Sequence, residues 1–357
     1  MFPLTPHLLP PLDPDFYPAA LYNRTFQAEI QRSGQGMPLI IGLERADGTL
    51  SRLETRVFNA SHAWSVHNVF YIERMLKFLL WQRGGWKVYI GGPTEIGDEI
   101  RRIYSPTGAR AFDHTFLGET VYQRPFTVVS CSPDEVPSEH ENQQSLGRHL
   151  EGCRIGFDLG ASDLKVSAVI DGQAIFTHEM EWNPRGNSDP AYHYAKIVHM
   201  LRLAADKLPR LDAIGGSSAG VIINNRPMVA SLFRGVPSEN YDQVRSLFLR
   251  LRAEFGVPLE VVNDGEVSAL AGSMSSGENA VLGIAFGSSL AAGYVTPQGN
   301  ITNWLNELAF APIDYNPSAP IDEWSGDRGV GSQYMSQQCV FSLASRAGIE
   351  IPAELSL

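Results

Sequence analysis

The chain has 357 residues, and 43% of them are hydrophobic, which is enough to build ordinary cores in about two or three domains. A formal net charge of −11 argues against a nucleic-acid-binding surface over the whole molecule. The three cysteines show no zinc or redox spacing, and no apolar run approaches the roughly 18 residues of a membrane span. We therefore expect a cytoplasmic protein with no membrane and no nucleic-acid partner.

The first part of the chain predicts a small α/β module. Residues 1–37 are rich in proline and polar residues, and we expect them to form an arm along the surface. Two strands are predicted over 39–58, joined by the hairpin signal Asp47-Gly48. Apolar periodicity and glycine positions predict three further elements, which are a helix over 66–82, a buried strand over 86–90 and a helix through 98–103.

A change in composition marks a predicted domain boundary. The segment 132–147 is polar and acidic with almost no apolar residues, which is typical of an interdomain linker. We therefore predict a boundary near residue 148. The N-terminal α/β module then covers residues 1–147, and a second, larger domain covers residues 148–357.

A hairpin with a tight turn of small residues is predicted over 154–170. Asp158 lies at the end of its first strand, and Gly160 and Ser162 lie in the turn. Small residues leave backbone N–H groups uncovered, so an anion could approach the main chain while Asp158 holds a metal ion or its water shell. A simple hairpin turn would have the same sequence, so this motif alone leaves both interpretations open.

Two later stretches favour the functional interpretation. A second apolar hairpin is predicted over 280–295, with Gly287-Ser288-Ser289 at its bend. A strand over 259–262 leads into Asn263 and Asp264 just before a helix, at the strand end where ligands of open α/β sheets usually bind. The alternative role of Asp264 is to cap that helix. The other predicted elements are a helix over 190–208, a short strand over 211–214 and a helix over 239–255.

This arrangement resembles the actin-like ATPases and, in detail, the ROK family of sugar kinases and sugar-responsive regulators. The resemblance covers residue 154 to the end of the chain. It implies an α/β fold in which an actin-like ATPase (ribonuclease H-like) domain follows the smaller N-terminal module. Asp158-Leu-Gly160-Ala-Ser162 is similar to the family motif Asp-x-Gly-x-Thr, and Lys165 lies where the family usually has lysine. Gly215-Gly216-Ser217-Ser218-Ala219-Gly220 occupies the place of a glycine-rich turn beside the cleft.

The resemblance implies ATP- and Mg²⁺-dependent phosphoryl transfer to a hydroxyl of a small-molecule sugar. Asp264 would be the general base, and Asp158 would hold Mg²⁺ through water. The residues expected around the phosphates of ATP are Gly160, Ser162, Lys165, Gly287 and Ser288. Asn263 and Glu307 are expected to orient the acceptor. The resemblance also admits a homo-oligomer.

The later motifs depart from the family pattern. Where this chain has Ser325-Gly326-Asp327-Arg328-Gly329-Val330, the family has Cys-Gly-Asn-Arg-Gly-Cys. Phe310 stands where the family has a histidine. No thiolate or imidazole ligand is available at these three aligned positions, Phe310, Ser325 and Val330. We therefore expect no structural zinc. Ser332 replaces a glutamate that typically contacts the sugar, which leaves the identity of the acceptor open.

Family members continue into a segment that cradles adenosine, so we expect a domain that is incomplete at its C-terminus. The main alternative is a catalytically weak or inactive relative that binds or senses a sugar. Another hypothesis uses the turn Gly91-Gly92-Pro93 as a substitute adenosine shelf, although a plain strand-to-helix connection explains it too. A transcriptional regulator ranks third, because residues 1–150 contain no recognisable helix-turn-helix.

Overall fold

The structure is a computed structural model that describes residues 2–287 and 289–352. The chain forms two compact units. The first consists of Met1–Asn142, Ala285–Ala291 and Trp304–Leu357, and the second of Gln143–Ile284 and Ala292–Asn303. The chain therefore leaves the first unit and returns to it twice.

A mixed four-stranded sheet organises the first unit. Its strands are β1 (Gly36–Glu44), β2 (Leu50–Phe58), β3 (Lys87–Gly91) and β4 (Thr127–Cys131). In the order β2-β1-β3-β4, β1 is antiparallel to both neighbours and β4 is parallel to β3. The helices of this part are α1 (Ala19–Ser33), α2 (Asn68–Arg83), α3 (Thr94–Ile103) and α4 (Ala111–Thr115). The hairpin predicted over 39–58 is confirmed, as are the two helices and the strand predicted after it.

The prediction of a surface arm over residues 1–37 is wrong for α1. This helix buries Tyr22, Phe26 and Ile30, each at most 1% exposed. Their spacing of four residues places them on one helix face. The sequence signal was present, but the surrounding prolines and polar residues obscured it.

The acidic segment predicted as a linker is partly fixed within the first unit. The Glu141 carboxylate accepts a hydrogen bond from the indole N–H of Trp304 at 3.1 Å and pairs with Arg83 at 3.5 Å. The backbone of His140 also pairs with Leu50 at the start of β2. These contacts hold His140 and Glu141 to the first unit, although the segment has few apolar residues.

The remaining elements follow in chain order. The strands are β5 (Gln143–Gln144), β6 (Cys153–Leu159), β7 (Asp163–Ile170), β8 (Gln173–Glu181), β9 (Ala213–Ser218), β10 (Val221–Ile223), β11 (Arg226–Val229), β12 (Leu259–Asn263), β13 (Val281–Phe286), β14 (Leu290–Val295) and β15 (Ile301–Thr302). The helices are α5 (Pro190–Ala205), α6 (Tyr241–Arg245), α7 (Leu247–Phe255), α8 (Asp264–Ser276) and α9 (Gln337–Arg346). Both predicted hairpins are present, and the predicted helix over 239–255 is divided at Ser246 into α6 and α7.

The main sheet of the second unit has the order β12-β9-β6-β7-β8. β6, β7 and β8 form an antiparallel meander, and β9 and β12 run parallel to β6 on its other side. The chain passes through α5 between β8 and β9 and through α6 and α7 before β12. This order and these directions are those of the ribonuclease H-like sheet of actin-like ATPases, so the predicted fold class is confirmed. A smaller sheet has the order β13-β14-β15-β5.

Alternation along β6 decides which side chains belong to the core. Ile155, Phe157 and Leu159 are buried in a cluster with residues of α5 and α7. Successive side chains of a strand point to opposite faces, so Asp158 lies on the face away from this cluster. The core therefore fixes the strand from one side and leaves the carboxylate available on the other.

The glycine-rich segment 215–220 begins as a strand and ends in a turn. Gly215-Gly216-Ser217-Ser218 belongs to β9, and the turn follows at Gly220, whose φ is +107°. A Cβ on Gly216 would lie 2.2 Å from Cζ of Phe157, so the glycine serves close packing between neighbouring strands. Within the described part of the chain, no helix has the length and apolar character needed to cross a membrane.

Candidate functional site

A cavity of about 1000 Å³ lies in the second unit, beside β6, β7, β9 and the start of α8. Four of the predicted site residues line it, namely Asp158, Gly160, Lys165 and Asp264. The structure thus brings together residues that are about a hundred positions apart in the chain. The volume lies within the range of small-molecule pockets.

The turn between β6 and β7 is tight and carries two backbone amides that face no acceptor in the described part of the chain. The amide of Gly160 donates to the carbonyl of Asp163 at 2.9 Å, and a Cβ on Gly160 would lie 2.5 Å from Oδ1 of Asp163. No residue that the structure describes accepts a hydrogen bond from the backbone amides of Ala161 and Ser162. Two adjacent N–H groups are therefore open to an anionic oxygen.

Ser162 and Lys165 occupy different positions around this turn. The carbonyl of Ser162 accepts a hydrogen bond from the amide of Trp182 at 3.1 Å, and Ser162 is not one of the described residues that line the cavity. Lys165 does line it, and its ammonium group donates to Asp163 at 3.2 Å. This hydrogen bond raises the pKa of Lys165, which keeps the side chain cationic.

Asp264 begins α8 and lies in the cavity. Burial raises the pKa of its carboxyl group, and the negative charge of Asp158 raises it further. A hydrogen bond from the amide of Gly265, at 3.0 Å, opposes these effects in part. The two carboxylates are close enough to repel each other, and a hard divalent cation held between oxygen ligands would relieve that repulsion.

Both ends of the Asn263 side-chain amide form hydrogen bonds within the protein. Its Nδ2 donates to the carbonyl of Gly220 at 2.8 Å, and its Oδ1 accepts from the amide of Gly265 at 2.8 Å. The second bond caps α8, so the capping role considered for Asp264 belongs mainly to Asn263. The predicted contact between Asn263 and a sugar remains a prediction.

The other predicted ligand residues belong to the first unit. The amide of Gly287 donates to the carbonyl of Ser289 at 2.9 Å, and its carbonyl accepts from the amide of Gln337 at 2.9 Å. Ser288 lies outside the described residues. Glu307 is half-buried, and its amide donates to the carbonyl of Trp81 at the end of α2 at 2.9 Å. The predicted ligand contacts of all three remain predictions.

The three positions aligned with zinc ligands are part of the packing of the first unit. Phe310 packs on Trp81, with ring centroids 4.4 Å apart, and Val330 is fully buried. The Ser325 hydroxyl donates to the carboxylate of Asp322 at 2.7 Å. Across residues 2–287 and 289–352, no three His, Cys, Asp or Glu side chains are grouped so that they could hold a metal ion.

Sequence reasoning missed the contribution of β8 and the loop after it. Thr177, Glu179 and Arg185 line the cavity, and β8 forms the edge of the sheet beside β7. A signal was available, because Asp171-Gly172 is a strong hairpin pair and both residues have positive φ, +47° and +82°. The strand that follows it could therefore have been predicted.

Close packing accounts for both glycines of Gly91-Gly92-Pro93, the turn proposed as a substitute adenosine shelf. A Cβ on Gly91 would lie 2.3 Å from Cγ2 of Val136, and one on Gly92 would lie 3.0 Å from Cγ of Leu39. This packing favours the plain strand-to-helix connection, and the adenosine shelf stays a hypothesis.

No family model matches the chain, and no match is found among curated proteins. Solved structures similar to it include a ROK family transcriptional regulator, a homolog of the E. coli MLC protein, at 18% identity over 57% of this chain and 52% of that one, with a TM-score of 0.43. A ROK hexokinase from Thermus thermophilus is 15% identical over 56% of this chain and 66% of that one, with a TM-score of 0.44. A ROK family protein from Streptococcus pneumoniae TIGR4, solved in complex with sucrose, is 13% identical over 56% of this chain and 63% of that one, with a TM-score of 0.40.

These structures belong to the family that the motifs of the sequence resemble. The chain spans about half to two thirds of their length. At these identities and TM-scores the likeness assigns no activity to the chain. The fold assignment rests on the strand order and directions of the main sheet, and any function must be argued from the cavity itself.

Proposed function

We propose that the second unit binds the phosphates of Mg-ATP and a sugar, and that the protein transfers a phosphoryl group to a sugar hydroxyl. The observation that carries this proposal is the shared cavity of Asp158 and Asp264, next to the open amides of Ala161 and Ser162. Phosphoryl transfer needs positioned charge more than covalent chemistry, and these groups supply both signs of it.

Asp264 is the proposed general base. Its raised pKa brings the carboxylate closer to the basicity that favours taking a proton from a hydroxyl near neutral pH. Asp158 is the residue that would hold Mg²⁺ through water, and Mg²⁺ when bound would neutralise charge on the phosphates. The amides of Ala161 and Ser162, together with the Lys165 ammonium group, would contact phosphate oxygens. Asp158, Lys165 and the two amides belong to the hairpin of β6 and β7, whereas Asp264 begins α8.

A second candidate function is sugar binding without phosphoryl transfer. Asn263 favours it, because its amide is engaged with Gly220 and Gly265 and so has less freedom to orient an acceptor hydroxyl. Both functions use the same cavity. They differ in whether a bound sugar is turned over.

The test is a phosphoryl-transfer assay with Mg-ATP and a panel of sugars, run beside calorimetric binding of the same sugars. If Asp264 is the base, Asp264→Asn lowers turnover by about 10²–10⁴-fold while the protein stays folded. The matched control is Asp242→Asn, which makes the same substitution on a side chain that is 83% exposed. Turnover that Asp264→Asn does not change would contradict the proposed role. Sugar binding by the wild type without any turnover would favour the second candidate.

A further inference from the structure

Arg185 is a cationic residue of the cavity that the proposed function does not use. It follows β8 in the loop before α5 and lines the same cavity as Asp158 and Asp264. Its side chain is exposed, and none of the carboxylates in the described ranges forms an ion pair with it. In a chain with a net charge of −11, carboxylates are plentiful, so an arginine left without one at a cavity suggests a ligand.

The loop holds the backbone on both sides of Arg185. The Asn183 side chain accepts a hydrogen bond from the amide of Gly186 at 3.0 Å. The buried imidazole of His193 lies with Nε2 at 2.9 Å from the carbonyl of Pro184. Binding a ligand therefore does not have to order this part of the main chain, which lowers the entropic cost of recognition.

The cavity contains both negatively and positively charged side chains, which suit different ligand groups. Asp158 and Asp264 supply negative charge that suits a divalent cation. Lys165 is paired with Asp163 and is assigned above to the phosphates of ATP. Arg185 is then the cation available for an anionic group, and its planar guanidinium matches the two oxygens of a carboxylate or phosphate. The cavity, at about 1000 Å³, has room for a sugar with such a substituent.

We propose that Arg185 binds an anionic group of the acceptor, so that the preferred substrate is an acidic sugar bearing a carboxylate. The inference rests on the proposed function, because it takes the acceptor to lie in the cavity of Asp264. Arg185 acts here in substrate recognition and takes no part in the transfer itself.

Calorimetry with three matched pairs of sugars tests this inference. The pairs are glucose and glucuronate, galactose and galacturonate, and mannose and mannuronate, each titrated into the full chain with and without Mg-ATP. We expect at least one acidic sugar to bind about tenfold to a hundredfold more tightly than its neutral partner, as for a hydrogen bond between charged groups. Arg185→Gln should remove that preference while leaving the neutral sugars unchanged, and Arg185→Lys should keep part of it.

The control is Arg252→Gln, which removes an exposed arginine of α7 that does not line the cavity. It should retain the wild-type preference. Equal binding within every pair, absence of binding by all six sugars, or a preference that survives in Arg185→Gln would overturn the inference. Weaker binding of Mg-ATP alone in Arg185→Gln, with the sugars unaffected, would assign Arg185 to nucleotide phosphates instead. Acidic sugars that bind through Arg185 but are not phosphorylated would refute the kinase proposal and leave this inference standing.

Discussion

The proposed role of Asp264 as a base has a cost in stability. Its carboxyl group is partly buried beside Asp158, and both burial and the neighbouring charge raise its pKa. Removing water from an acidic group costs stability, and proteins accept such costs at sites where the group is used. The same shift that suits a base therefore makes the folded state less stable when Asp264 is ionised.

This cost predicts a pH-dependent effect of Asp264→Asn on stability. The folded pKa lies above the unfolded value of about 3.9, so the folded protein binds the proton more tightly. The contribution of Asp264 is therefore most favourable below about pH 4 and is lost as the pH rises through the folded pKa. Asparagine cannot ionise, so we expect Asp264→Asn to be more stable than the wild type at pH 7.

Urea denaturation between pH 3.5 and 7.5 measures the difference in free energy of unfolding between Asp264→Asn and the wild type. This difference should become smaller as the pH falls. Asp242→Asn controls for the substitution itself. A wild type that is the more stable protein at pH 7 would refute this account, as would a difference that does not depend on pH.

At the scale of single elements, β9 contains two neighbouring glycines in opposite environments. A Cβ on Gly216 would lie 2.2 Å from Phe157, whereas nothing lies within 4 Å of a Cβ on Gly215. We expect Gly216→Ala to lower the free energy of unfolding by about 1–3 kcal/mol through overpacking. Gly215→Ala should change it by less than about 0.5 kcal/mol. Chemical denaturation of the two variants measures these changes. Equal effects would contradict the prediction that close packing against Phe157 determines the cost at position 216.

Helix α2 carries part of a buried cluster of charges in the first unit. Asp327 forms ion pairs with Lys77 at 3.1 Å and with Arg110 at 2.6 Å, and Lys77 also pairs with Asp113 at 2.9 Å. Burial would raise the pKa of Asp327, but the charges of Arg74 and Lys77 hold it below its ordinary value. The loop that contains Asp327 is thus fastened to α2 by ion pairs.

We expect Asp327→Asn to destabilise the protein by about 3–5 kcal/mol, because it removes one carboxylate from a buried cluster that also holds the cations Lys77 and Arg110. Asp327 contributes its stability above about pH 3.9, and that contribution is lost as the pH falls through the lowered folded pKa. Guanidinium denaturation at pH 7 measures the effect. Glu29→Gln, which breaks an exposed i,i+3 pair with Arg32, is the control and should leave the midpoint close to that of the wild type. A similar midpoint for both variants would contradict the structural role of the cluster.

For the molecule as a whole, the first unit depends on parts of the chain that are far apart. The backbone amides of Asn306 and Glu307 donate to carbonyls of α2 at 2.8 and 2.9 Å, and Phe310 covers Trp81. Asp327 completes the charge cluster on the same helix. Residues 304–352 thus supply contacts that the N-terminal part of the unit needs.

We therefore expect a fragment of residues 1–147 not to fold stably by itself. Without residues 304–357 it would expose Trp81 and leave Lys77 without Asp327. Co-expression with a fragment of residues 304–357 should restore a folded complex. Circular dichroism and thermal melting compare the two preparations. Cooperative unfolding of fragment 1–147 alone would contradict this prediction and support a domain that ends near residue 147.

Local patterns in the sequence were sufficient for much of the secondary structure and part of the site. Apolar periodicity predicts α2, and alternation with tight turns predicts the hairpin of β6 and β7, because neighbouring residues determine these signals. Asp158 and Asp264 could be identified for the same reason, since each lies at the end of a predicted strand. The resemblance of these motifs to the ROK family indicated the class of fold that the strand order confirms.

Only the tertiary structure decided the roles that depend on distant partners. Asn263 caps α8 while its amide reaches Gly220, 43 positions earlier, and no local pattern records that contact. Position 216 requires glycine because the ring of Phe157 packs over it. Arg185 lines the cavity because β8 and its loop return beside Asp158. Such contacts arise from chain topology, so residues that look alike in sequence acquire different functions when the chain folds.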